Sequence, residues 1–106
     1  MESWQKATNS ERHLYQAIGL VFLKHPELLE FFFEKTQPRI RFIAEDMRKE
    51  AAGYSSGQQI LIRVALDMWS GSGNAKIWQM LETLDPDNFR NCLKALGFLK
   101  GLDSAN

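Results

Sequence analysis

The sequence predicts an all-α fold, one compact domain built as a bundle of five or six short helices. Three observations predict it. Apolar residues recur at three- and four-residue spacing along almost the whole chain. Helix stop-and-start signals recur as His25-Pro26, Gln37-Pro38, Ser70-Gly71 and Asp85-Pro86. Strand signals are missing, because β-branched residues are few, alternation never persists and no Asn-Gly or Asp-Gly pair marks a hairpin.

The first helix is expected over "SERHLYQAIGLVFLK". Leu14, Ile18, Val21 and Phe22 fall on one helical face, with Asn9 or Ser10 as the cap and Glu11 favourable in the first turn. His25 ends it, because the residue before proline resists the α conformation. Pro26 then suits the first position of a second helix, "PELLEFFFEK". A third helix is expected over "PRIRFIAEDMRKEAAG", with Ile40, Ile43, Ala44 and Met47 inward and Gly53 just past its end. The best-signed helix is "SSGQQILIRVALDMW". Ser55 or Ser56 with Gln58 or Gln59 makes a capping box, and Ile60, Leu61, Val64, Ala65, Met68 and Trp69 form a wide stripe.

"AKIWQMLETL" follows, with Ile77, Trp78, Leu81 and Leu84 as its apolar positions. Asp85 caps the last helix, "PDNFRNCLKALGFLKG", whose stripe is Phe89, Leu93 and Leu96 and whose stop is Gly101. Residues 1–9 read as a flexible leader and 102–106 as a flexible tail. No fixed-period repeat or low-complexity segment is present.

At 106 residues with 44% hydrophobic and 25% charged side chains, the chain is ordinary globular material of one domain's length. Thirteen basic residues balance thirteen acidic ones, so the excess of a strongly basic nucleic-acid binder is missing. A single cysteine, Cys92, rules out a disulfide within the chain and fits a reducing compartment. The polar N-terminal stretch has no signal-peptide core, and no apolar run approaches a membrane span. The expectation is a cytoplasmic protein that does not engage membranes.

Candidate chemistry is sparse. "WSGSGN" at Trp69–Asn74 suggests a phosphate cradle. Its Gly-x-Gly is followed by Lys76 rather than a third glycine and preceded by a helix rather than a strand, and it lacks the P-loop's Gly-Lys-Ser/Thr ending. The simpler expectation is Gly71 ending one helix and Asn74 capping the next, with free N–H groups able to hold an anion as the minor alternative. His13, His25 and Cys92 are widely separated, and neither Cys-x2-Cys nor His-x3-His occurs, so no metal and no cofactor are expected. Glu27, Glu30 and Glu34, and Glu45, Asp46 and Glu50, read as solvated helix faces. Without a catalytic motif the chain is expected not to be an enzyme; a Cys92–His pair is the trailing alternative.

Two binding readings remain. The consecutive Phe31, Phe32 and Phe33 point about 100° apart around a helix. One thin helix buries them all only if neighbours sandwich it; otherwise at least one faces a partner. The leading expectation is a small protein-binding module or regulator, or a homodimer. Its surface would comprise Trp4, Phe31, Phe32 and Phe33, with Arg39 and Arg41 as rim charges. The alternative is a helix-turn-helix over residues 74–101 that reads DNA with Arg90, Asn91 and Lys94. Asp85 and Asp87 count against it, since they stand at the end that would enter the groove.

Overall fold

The computed structural model describes residues 6–102. Among the described residues six α-helices follow in order: α1 (Asn9–Val21), α2 (Pro26–Phe32), α3 (Ala44–Glu50), α4 (Ser56–Ser70), α5 (Ile77–Thr83) and α6 (Pro86–Lys100), with a 3-10 turn at Ala51–Gly53 between α3 and α4. Among the described residues no strand forms; a single antiparallel bridge pairs Phe33 with Ile40. The all-α bundle is therefore the fold.

The helix ends follow from local chemistry. Thr8 caps α1, ahead of the expected Asn9 or Ser10. Its side chain accepts from the Glu11 N–H at 3.1 Å, and the Glu11 carboxylate accepts from the Thr8 N–H at 2.8 Å. Ala7 is buried and Thr8 is a cap, so the leader is tied to the fold by residue 7. Ser55 and Gln58 make the same reciprocal box at α4. Asp85 accepts from the Asn88 N–H at 2.8 Å and Pro86 opens α6. Gly71 and Gly101 end α4 and α6 in the left-handed conformation, at φ 71° and 80°.

The expected helix from Pro38 does not start there. The backbone of residues 33–43 folds back on itself instead, with the Glu34 N–H donating to the Arg39 carbonyl and the Arg41 N–H to the Phe32 carbonyl. Those cross-loop bonds, with Ile40 and Phe42 laid on the core, outcompete helix formation, and α3 starts only at Ala44.

The core forms where α1, α2 and α4 meet. Ile18, Val21, Phe22, Leu28, Phe32, Met47, Leu61, Ile62 and Leu66 are all essentially inaccessible. α6 packs extensively on α1, while α5 leans on α4. The molecule measures 38 × 36 × 22 Å, a slab about two helices thick given helix diameters of about 10–12 Å. A slab that thin leaves the far faces of its outer helices uncovered.

Candidate functional site

The glycine loop is filled by the protein's own side chain. Asp67, in the last turn of α4, turns its carboxylate into the loop. Oδ1 accepts from the Gly73 and Asn74 N–H groups at 2.8 and 3.0 Å, and Oδ2 accepts from the Ala75 N–H at 2.9 Å. The N–H groups that could have held an anion hold this one. Gly73 is buried so closely against α4 that a Cβ there would stand 2.7 Å from the Asp67 amide nitrogen and 2.8 Å from the Arg63 carbonyl carbon. Arg48 reaches across to the Ser72 carbonyl at 2.8 Å. Asn74 takes a left-handed φ of 54° and does not cap α5, whose first flanking residue is Lys76. The loop is a structural clasp holding the start of α5 against the end of α4.

The phenylalanine run is sandwiched. Phe32 is fully buried and packs edge-on to Phe22 at 5.7 Å between ring centres, while Phe33 is buried against Tyr15 at 4.8 Å and Trp69 at 5.3 Å. Phe31 is half-buried between Phe42 and Tyr54, at 5.7 and 5.3 Å. Phe32 is closed off in the core, Phe33 meets the surface only where it lines a shallow pocket with Tyr15, Leu29, Glu30 and Lys35, and Phe31 is half-buried, so the three do not form one open stripe. The ring planes are tilted or near-perpendicular, which suits aromatic quadrupoles. Arg39 and Arg41 are exposed on the following loop, Arg39 3.8 Å from Glu34 and Arg41 6.0 Å above the Phe42 ring. Trp4 lies outside the described residues.

The DNA reading loses its central residue. Asn91 is 6% exposed, with its side chain in the face of α6 that covers α1. Arg90 is bonded to Asp87 at 2.9 Å, and only Lys94 stands free at the surface. A recognition helix needs one face clear for the major groove. The face with Asn88 and Asn91 is instead core, and the outer face carries leucines.

Those leucines form the site that periodicity alone misassigns. The buried face of α6 is Asn88, Asn91, Cys92 and Ala95, small or polar residues that let α6 approach α1 closely. Phe89, Leu93 and Leu96, spaced i, i+4 and i+7, form a second stripe, in which Phe89 is partly buried against the core. Leu93 is 53% and Leu96 48% exposed. In α5 the anchors are Met80 and Leu84, whereas Ile77, Trp78 and Leu81 are 72%, 57% and 64% exposed. α5 and α6 diverge from the Leu84–Asp85 corner and make little contact with each other. The open groove between them is lined by Leu81, Leu84, Pro86, Phe89, Arg90 and Leu93.

The remaining reactive groups are separated. Cys92 is fully buried, and burial pushes its thiol up to about 11. His13 stacks on Phe98 at 4.4 Å, and His25 Nδ1 lies 3.3 Å from a Glu27 carboxylate oxygen. Neither arrangement prepares a thiolate. Among the described residues no three His, Cys, Asp or Glu side chains are grouped to hold a metal ion. No helix among them is long and apolar enough to cross a membrane. No protein-family model, no curated protein and no solved structure matches the chain.

Proposed function

We propose that the protein is a small, non-enzymatic binding module of the cytoplasm that takes a helical segment of another protein in the α5–α6 groove. The observation that carries this reading is the pair of apolar stripes facing one open groove. Leu81 and Leu84 line one side and Phe89 and Leu93 the other, the helical spacing continues each stripe to Ile77 and Leu96, and Ile77, Leu81, Leu93 and Leu96 stand largely in water.

Such a patch is costly in a free monomer. The four exposed side chains of the stripes, Ile77, Leu81, Leu93 and Leu96, together present on the order of 400 Å2 of apolar surface, within the roughly 300–600 Å2 typical of a monomer's largest patch. Covering it would contribute roughly 10 kcal/mol of gross transfer energy at about 25 cal/mol per Å2. Association costs take back much of that. Two stripes of i, i+4, i+7 spacing on diverging helices suit a third amphipathic helix laid between them, the helix-in-groove mode. The lone, buried cysteine agrees with a reducing compartment.

A comparative capture from cells that make the protein tests the reading. Tagged wild type, a Leu81→Asp/Leu93→Asp variant and an Arg39→Glu/Arg41→Glu control are used as baits. The expected result is a partner retained by the wild type and the control and lost with the groove variant. A partner lost only with the arginine control would contradict the groove.

A further inference from the structure

The charges around the groove carry the reading one step further, to the chemistry of the partner. From Asn88 to Leu102 the chain contains Arg90, Lys94 and Lys100 and no acidic residue. Lys100 follows Leu96 by one helical turn along the same stripe, Arg90 lines the groove itself, and Lys94 stands one turn after Arg90 on its outer edge. Acidic side chains near the groove's closed end are already engaged. Asp85 is 3.3 Å from Lys24, and Asp87 lies 2.9 Å from Arg90 and 3.6 Å from Lys24. Among the described residues Lys76, Lys94 and Lys100 make no ion pair, and Glu82 is the one acidic side chain of α5 and α6 in the same condition. The unpaired charge on the α6 side of the groove is therefore that of two lysines, Lys94 and Lys100.

We infer that the occupant is an acidic amphipathic helix. Its apolar stripe seats between Leu81 and Leu93, and its flanking carboxylates meet the unpaired Lys94 and Lys100. The inference rests on the docking reading above and specifies its partner. Charge complementarity also argues against a second copy of this chain. A two-fold pairing over this face would bring two copies of the unpaired Lys94 and Lys100 to it, with Glu82 as the one unpaired carboxylate of α5 and α6 to answer them.

Two synthetic helical peptides of equal length test it. Both carry leucines at i, i+4, i+7 and i+11; one has glutamates on both flanks and the other lysines. Each peptide carries a fluorescent label, and binding is read as its anisotropy in a titration with the intact chain. The glutamate peptide is expected to bind about tenfold or more tightly than the lysine peptide in low salt, the size of two or three exposed ion pairs. The gap should narrow towards molar salt, where the Debye length falls to about 3 Å. Lys94→Glu/Lys100→Glu should reverse the preference, and both residues are exposed, so the fold is retained. Leu93→Asp should weaken both peptides. Equal binding, or preference for the lysine peptide, overturns the acidic partner and leaves the groove standing. Failure of both peptides to bind overturns the groove as well. A dimer in sedimentation that Leu93→Asp dissociates replaces the acidic helix with a second copy.

Discussion

Replacing Gly73 with alanine should destabilise the protein more than the same change at Gly19, Gly53, Gly57, Gly71 or Gly101. The new Cβ would meet only backbone: the Arg63 carbonyl oxygen, the Arg63 carbonyl carbon at 2.8 Å and the Asp67 amide nitrogen at 2.7 Å. Real Cβ atoms do not approach backbone so closely, and α4 cannot rotate these atoms aside as it could a side chain. The loop must lift, and lifting it strains the three bonds from the Gly73, Asn74 and Ala75 N–H groups to Asp67. Hydrogen bonds to a charged acceptor contribute about 1.5–3 kcal/mol each. They act as one unit here, so the expected loss is about 3 kcal/mol rather than their sum. That corresponds to a drop in Tm on the order of 12–20 °C for a domain of this size.

Gly71→Ala is the control. Its φ of 71° is strained for alanine, yet nothing stands within 4 Å of the new methyl group. Its cost should stay near the roughly 1–2 kcal/mol of a left-handed residue. Urea melts of both variants, followed by circular dichroism, give the comparison. Gly73→Ala within about 0.5 kcal/mol of wild type, or no worse than Gly71→Ala, would refute the clasp.

Four further outcomes are expected. Thr8→Ala should cost about 1 kcal/mol, because it removes one half of the α1 capping box, and the change is read in the same urea melts. Phe32→Ala should cost about 3–5 kcal/mol as a core cavity, whereas Leu93→Ser should stay within about 0.5 kcal/mol of wild type while losing the partner in the capture assay. The Asn88 N–H at the α6 cap, then Lys24, hold the Asp85 carboxyl below its usual range, so its contribution is present above the unfolded carboxyl value and lost as pH falls through the lower folded one. Asp85→Asn should flatten that acid limb in stability measured against pH. The Cys92 thiol, raised by burial, stays protonated in the folded protein after it ionises in the unfolded chain, so stability should fall as pH rises from about 9 towards about 11. At neutral pH Cys92 should resist alkylation until the protein unfolds; rapid native labelling would contradict its burial.

Much of the fold was legible because it is written in local chemistry. Ser55 with Gln58, Asp85 with Pro86, and glycines 71 and 101 act through their own neighbours, and each works as its residue type requires. The segment from Pro38 to Ile43 was not legible, since its conformation depends on pairing with Phe32 and Glu34 across a loop. The groove was hidden for a more general reason. Periodicity locates the most apolar stripe of a helix and assigns it to the core. α6 has two such faces, and the one with Asn88, Asn91, Cys92 and Ala95 is narrow enough to pack closely on α1. The leucines, better core residues by hydrophobicity, were left outside. The phenylalanine run misled in the opposite sense, because which neighbours flank a short helix is a tertiary property. The Asp67 clasp had a faint signal, an acidic residue one turn before a glycine-rich helix exit, but nothing local fixes where its carboxylate points.

The docking of another chain between α5 and α6 is tested most directly by hydrogen exchange on the free protein and on the protein saturated with the glutamate-flanked peptide. The expected result is added protection concentrated in Ile77–Leu84 and Phe89–Lys100, with α5 among the least protected helices of the free protein, given its seven residues and few buried anchors. Protection appearing instead around Phe31–Phe42, or no change in α5 and α6 at saturation, would contradict the groove as the binding surface.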